Sequence, residues 1–142
     1  MGILSDFERR LERVIEGIFT KAFRGGLQPA ELATRVLREM EAGRTVGVRQ
    51  VWVPNRFRFR LSPPDRERFR QAEGALRREL EQVVRDAARE RGWGLVGPPE
   101  VLFETDPGLG QGEVACEASL AEGPAAPAEA TAPAEGPAAP AE

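Results

Sequence analysis

The chain has 142 residues, 41% hydrophobic and 30% charged, enough for one domain with a modest core and hardly enough for two. It has no His, no Tyr and one Cys, so the residue types that most often carry acid–base, nucleophilic and metal chemistry near neutral pH are nearly absent; this counts against an enzyme, a metal site or a cofactor site. The formal charge of −3 hides an asymmetry, because all 20 Lys and Arg lie at or before Arg91: residues 1–91 carry 20 basic against 14 acidic groups (net +6), and residues 92–142 carry −9.

From the N-terminus, residues 1–24 alternate charged and apolar positions with no continuous hydrophobic run, and the lone Cys116 cannot close an internal disulfide. A soluble, cytoplasmic protein is expected. Gly2 is not read as an acylation site, since that pattern wants Ser or Thr at position 6, where this chain has Asp6. Ser5 and Glu8 form a capping-box pattern, and Phe7, Leu11, Val14, Ile15, Ile18, Phe19 and Ala22 follow at helical spacing until Gly25-Gly26. Pro29 suits a first helical position, and Leu32, Ala33, Val36, Leu37 and Met40 make a second apolar stripe ending at Gly43. Residues 46–53 are rich in β-formers and Pro54-Asn55 is turn chemistry, so this run is expected to pair antiparallel with residues 56–61 as a hairpin. Phe57, Phe59 and Leu61 share one face of that second strand, and Arg56, Arg58 and Arg60 share the other.

Ser62 is expected to cap a long third helix with Pro63 or Pro64 at its first position. Phe69, Ala72, Leu76, Leu80, Val83, Val84 and Ala87 form its buried stripe, Glu73/Arg77 and Glu81/Arg85 its wet-face pairs, and Gly92 its end. Two or three further strands follow, around Trp93–Val96, Val101–Phe103 and Val114–Ala118, the last two joined by a Gly-rich turn. The order predicts an α+β domain over residues 1–120: two N-terminal helices, then ββαββ, with a mostly antiparallel sheet covered on one face by helices. From residue 121 the chain turns to Ala, Pro, Glu and Gly, and the octet Glu-Gly-Pro-Ala-Ala-Pro-Ala-Glu occurs at 122–129 and again at 135–142. Such a segment buries too little to fold, so residues 121–142 read as a disordered, extended linker or tail.

Several short motifs are better explained by structure than by chemistry. Gly108-x-Gly110-x-Gly112 lacks the spacing of a phosphate loop and reads as a hairpin turn. The G-x-x-G of Gly94–Gly97 follows a helix and leads into strands, unlike the loop of a KH domain. Glu100, Glu104, Asp106 and Glu113 have nothing to fix a cation geometry and read as soluble loop and strand-edge charge. Cys116 alternates with Val114 and Ala118 as a small core residue. The arginine face remains, Arg56, Arg58 and Arg60, extended by Arg49 across the hairpin and by Arg66 and Arg70 in the next helix. It reads as a solvated face, as a protein-partner face, or as a face for nucleic acid or anionic membrane; no aromatic side chain shares it as a stacking platform.

Phe7-Glu8-Arg9-Arg10-Leu11-Glu12 with Glu16-Gly17, the Gln28–Ala33 segment, Arg38-Glu39-Met40, the Val53–Pro63 stretch and Leu95-Val96-Gly97-Pro98 together resemble the N-terminal domain of the bacterial FhaA family. The resemblance runs in order over roughly residues 1–120. It implies an α+β domain tethered by a low-complexity linker to a forkhead-associated domain that reads phosphothreonine and links Ser/Thr-kinase signalling to cell-envelope growth. The linker-like stretch runs to the last of the 142 residues, and the forkhead-associated signature needs a His that these residues lack, so phosphothreonine reading is not assigned to them. The resulting expectation is a non-enzymatic interaction domain, an adaptor or scaffold with protein partners in a Ser/Thr-kinase pathway and no small-molecule substrate, with Thr131 in the tail as a phosphorylation site.

Overall fold

One strand organises the molecule. In the computed structural model, which describes residues 2–14 and 25–122, β3 (Arg56–Leu61) is the middle of a three-stranded sheet ordered β4-β3-β5, where β4 is Glu100–Thr105 and β5 is Val114–Ser119. Its strict alternation places Phe57, Phe59 and Leu61 inward at zero exposure, and each such burial stabilises by about 1.5–3 kcal/mol. Phe103 of β4 lies 5.9 Å from Phe59 and 6.5 Å from Phe69, ring centre to ring centre, so aromatic packing spans sheet and helix.

Among the described residues four helices build the layer on that inner face. They are α1 (Ile3–Val14), α2 (Pro29–Ala42), α3 (Pro63–Phe69) and α4 (Glu73–Arg91), the last two separated by a 3-10 turn at Arg70–Ala72. The longest, α4, buries Leu76, Leu80, Val83, Val84 and Ala87, and α1 and α2 pack on it through Phe7, Leu11, Leu32, Val36 and Met40. Pro29 opens α2 as its missing N–H requires, and Gly92 closes α4 at φ +70°, a left-handed cap that glycine adopts at little cost. Among the described residues the α+β class, the order of helices and strands, and the one-sided covering of the sheet are as expected. Residues Ile15–Ala22 of the expected first helix, and the tail beyond residue 122, lie outside the described residues.

The strand pairing differs from the expected hairpin. β3 does not pair with the preceding run: β1 (Thr45–Val46) and β2 (Val51–Trp52) pair with each other, forming a separate small hairpin that Gly94 extends through a bridge to Trp52. β3 instead runs parallel to β4 and antiparallel to β5, so the sheet is mixed. The reason is the length of the β3-to-β4 connection, since a helical crossover permits a parallel neighbour where a two-residue turn permits only an antiparallel one. For the same reason Gly108–Gly112 is not a hairpin turn. β4 and β5 lie on opposite sides of β3, and the loop crosses between them.

Smaller differences follow from packing. Ser5 lies inside α1, which begins at Ile3 because Ile3 and Leu4 pack against the core. The expected single third helix breaks at Arg70–Ala72, where a 3-10 turn sets buried Phe69 and Ala72 on one face. Glu73 pairs with Arg66 instead of Arg77, and Glu81 accepts the Val101 N–H, so neither expected i,i+4 pair forms. Trp93–Val96 contributes only the Gly94 bridge, not a strand.

Candidate functional site

The outer face of the sheet holds the three arginines singled out by the sequence, and β3 brings them together in one row. Each is met by at least one carboxylate, Arg56 from β4 alone and Arg58 and Arg60 from both sides of β3. Arg56 Nε donates to Glu100 at 3.1 Å; Arg58 donates to Glu104 at 2.9 Å and to Glu117 at 3.4 Å; Arg60 donates to Asp106 at 3.3 Å and to Glu117 at 3.0 Å. Arg56 is level with Glu100 in the ladder, whereas Arg58 and Arg60 reach forward two residues along the parallel strand, because their own cross-strand neighbours on β4 are Leu102 and Glu104. Glu117 on β5 bridges two guanidinium groups. It is the first cause of the upward shift of the Arg60 pKa, so Arg60 stays charged at every working pH.

Three guanidinium groups therefore face four carboxylates, and the row is charge-matched with a slight acidic excess. Arg66 and Arg70, expected to widen a basic patch, are taken up by Glu73 and Glu67 respectively. Arg49 sits between β1 and β2 on the other sheet and does not join the row. Such part-exposed pairs stabilise by about 0.2–1 kcal/mol each, so the ladder adds modestly to stability. Thr131 lies outside the described residues.

The remaining candidates resolve into structure. The three glycine amides of the crossing loop all donate to carboxylates: Gly108 to Asp106 at 2.9 Å, Gly110 to Glu113 at 2.7 Å and Gly112 to Asp65 at 2.7 Å. Glycine amides so occupied are not offered to a phosphate. Glu100, Glu104 and Asp106, set aside as a cation site, are ion-pair partners, and no group of three or more His, Cys, Asp or Glu among the described residues is placed to hold a metal. Cys116 is half-buried opposite Phe59, and burial, reinforced by the Glu39 charge, pushes its thiol up to about 12. A thiol with a raised pKa remains protonated at pH 8 and is a poor nucleophile. Native protein should therefore react with a disulfide reagent at least about tenfold more slowly than urea-unfolded protein at pH 8, measured by absorbance; equal rates would show an exposed thiolate.

Two polar residues that sequence reading did not single out clamp the ends of β3. At its start, Asn55 is 1% exposed; its amide donates to the Pro98 carbonyl at 3.0 Å and the Ala121 carbonyl at 2.8 Å, and its side-chain oxygen accepts the Ala121 N–H at 2.8 Å. At its end, buried Asp65 accepts from Ser62 Oγ, the Leu27 N–H, the Gly112 N–H and the Arg68 guanidinium. Gly26 closes over that pair at φ +74°, where a Cβ would stand 2.5 Å from Arg68 and 2.7 Å from Asp65. The sequence signal was thin: an Asn after a Pro, and an Asp three residues beyond a Ser cap.

The described residues thus define a small α+β domain whose most distinctive surface is a charge-matched sheet face and which brings together no catalytic constellation. The family model "FhaA, N-terminal domain" matches residues 4–117, and the chain belongs to that family. The solved Rv0020c N-terminal structure shares the fold with a TM-score of 0.63 at 19% identity, over 79% of this chain and 80% of that one. At that identity the likeness concerns the fold alone. No curated protein matches the chain. None of the described helices is long and apolar enough to cross a membrane.

Proposed function

We propose that this domain is a non-enzymatic protein-interaction module, an adaptor or scaffold within a Ser/Thr-kinase-linked signalling protein tied to cell-envelope growth, acting in the cytoplasm. The observation that carries the reading is the ladder of Arg56, Arg58 and Arg60 with Glu100, Glu104, Asp106 and Glu117. A rigid face of fixed, alternating charge can recognise a complementary protein surface, because matched potentials select partners and like-charge contacts reject others. Family membership supports the same reading. Binding of nucleic acid or anionic membrane is less favoured by this geometry, since a phosphate would have to displace carboxylates already in place, and counterion release is small from a face without net positive charge.

Replacing Arg56, Arg58 and Arg60 together by Ser should leave the chain folded, with stability lowered on the order of 1–3 kcal/mol by loss of the pairs. Affinity purification with quantitative mass spectrometry from the native cells should recover a protein partner with the unsubstituted chain and lose it with the triple variant. The same samples report whether Thr131 carries phosphate. Salt-sensitive binding of an oligonucleotide or of anionic vesicles by the unsubstituted chain, abolished in the triple variant, would replace the adaptor reading with the alternative one. A partner retained by the triple variant would move the interaction off this face.

A further inference from the structure

The three-stranded sheet has two edges, and they are finished differently. At the β4 edge the Glu81 carboxylate of α4 accepts the Val101 N–H at 3.0 Å, so a side chain satisfies an edge amide, and α3 and α4 pack along this strand. β5 is touched by α2 but has no such side-chain guard. Among the described residues no side chain hydrogen-bonds the backbone of Val114–Ser119, and the strand runs six residues in unbroken register with no Pro, no Lys and no bulge. Its single charge, Glu117, is turned inward along the sheet toward Arg58 and Arg60. An edge left in this condition is a template for a further strand.

Beside that edge lies a groove of about 370 Å³ between α2 and the start of β5, lined by Ala30, Glu31, Thr34, Arg35, Arg38 and Val114. Its charges are unequal. Glu31 accepts the Gln28 N–H at 3.3 Å, and Arg35 pairs with Glu39 at 2.9 Å, but exposed Arg38 has no ion pair among the described residues. The row Val114, Cys116 and Ala118 is made of small, half-buried side chains packed against the core, and of the three Val114 lines the groove.

From the open backbone edge and the unopposed guanidinium beside it, we infer that β5 is a docking edge for an extended, acidic segment of a partner protein, which adds as a fourth strand with a carboxylate against Arg38. Main-chain hydrogen bonds to β5 supply affinity, and the groove and Arg38 select an acidic sequence with small or medium apolar side chains at alternate positions. This goes beyond the outer-face reading and rests on a different surface, so the Arg56, Arg58 and Arg60 variants neither support nor remove it.

The test selects a phage-displayed library of random linear dodecapeptides on the immobilised full chain and synthesises the most enriched peptide. The expected result is enrichment of Pro-poor, Asp- and Glu-rich sequences, slowed amide hydrogen exchange across Val114–Ser119 when the synthetic peptide is added, and affinity at least about tenfold weaker for Arg38→Glu. Alternate N-methylation of the peptide should abolish binding, as a strand without its N–H groups cannot extend a sheet. Four results overturn the inference: no enrichment, enrichment without acidic bias, unchanged exchange at β5, or affinity unaffected by Arg38→Glu. Protection of β5 that rises with protein concentration in the absence of peptide also overturns it, because a second copy would then occupy the edge.

Discussion

Replacement of Asp65 by Ala is expected to lower the unfolding free energy by about 3–5 kcal/mol in urea titration, a large share of the roughly 5–15 kcal/mol typical of a domain. The carboxylate has no exposure and gathers four donors from three parts of the chain: Ser62 and Arg68 beside it, Leu27 ahead of α2, and Gly112 in the loop from β4 to β5. Removing it takes from the mostly buried Arg68 guanidinium the carboxylate it pairs with, and that lost compensation is the main cost. Arg68 also donates to the Leu27 carbonyl at 3.2 Å and lies over the Phe69 ring. Asp65→Asn keeps the shape but not the charge and should fall between the two. Combining Asp65→Ala with Arg68→Met should recover part of the loss, because the mostly buried positive charge is removed together with the carboxylate that compensated it. A loss below about 1 kcal/mol for Asp65→Ala would show that Arg68 reaches water freely and that this cluster does not join α2, α3 and the crossing loop.

The contrast between Asp65 and the arginine row shows which parts of this molecule sequence could supply. Period-2 alternation placed Phe57, Phe59 and Leu61 inside and the arginines outside, and helical spacing found every buried position of α4 that it named, because both patterns are local consequences of burying one face. The Ser62 cap and the Gly92 stop were legible for the same reason: they satisfy backbone groups within a few residues. Pairing was not local. Whether β3 meets the run before it or the strands after α4 depends on contacts 44 or more residues away, such as Arg56 with Glu100. The arginines could be placed on a face without their partners being visible, because the acidic residues that neutralise them lie at residues 100–117 and looked like unattached loop charge until the strands were laid side by side. Asp65 stands where an acid at a helix start is ordinary, and its longer-range donors, Leu27 and Gly112, are 38 and 47 residues distant.

Asn55→Ala is the second large effect, an expected loss of about 2–3 kcal/mol from three side-chain hydrogen bonds at roughly 1 kcal/mol each. Pro54-Asn55 has the composition of a hairpin turn, yet Asn55 serves as the head of the three-stranded sheet. Its backbone N–H donates to the Ser119 carbonyl at 3.0 Å and its carbonyl accepts the Glu100 N–H at 2.8 Å, while its side chain holds Pro98 before β4 and Ala121 after β5. One residue therefore ties β3 to the entrance of its parallel neighbour and to the exit of its antiparallel one, so it helps to hold the order β4-β3-β5 in place. Removing the side chain should accelerate amide exchange at Ala121 and at the start of β4, with the middle of β3 still protected. Asn55→Asp should be worse than Ala, since it keeps an acceptor for the Ala121 N–H but turns the donating amide nitrogen into a carboxylate oxygen facing the carbonyls of both Pro98 and Ala121. If Asp were tolerated as well as Asn, the side chain would be acting as a turn former that any short polar residue can replace, and the sheet order would rest on the Phe57 and Phe59 packing alone.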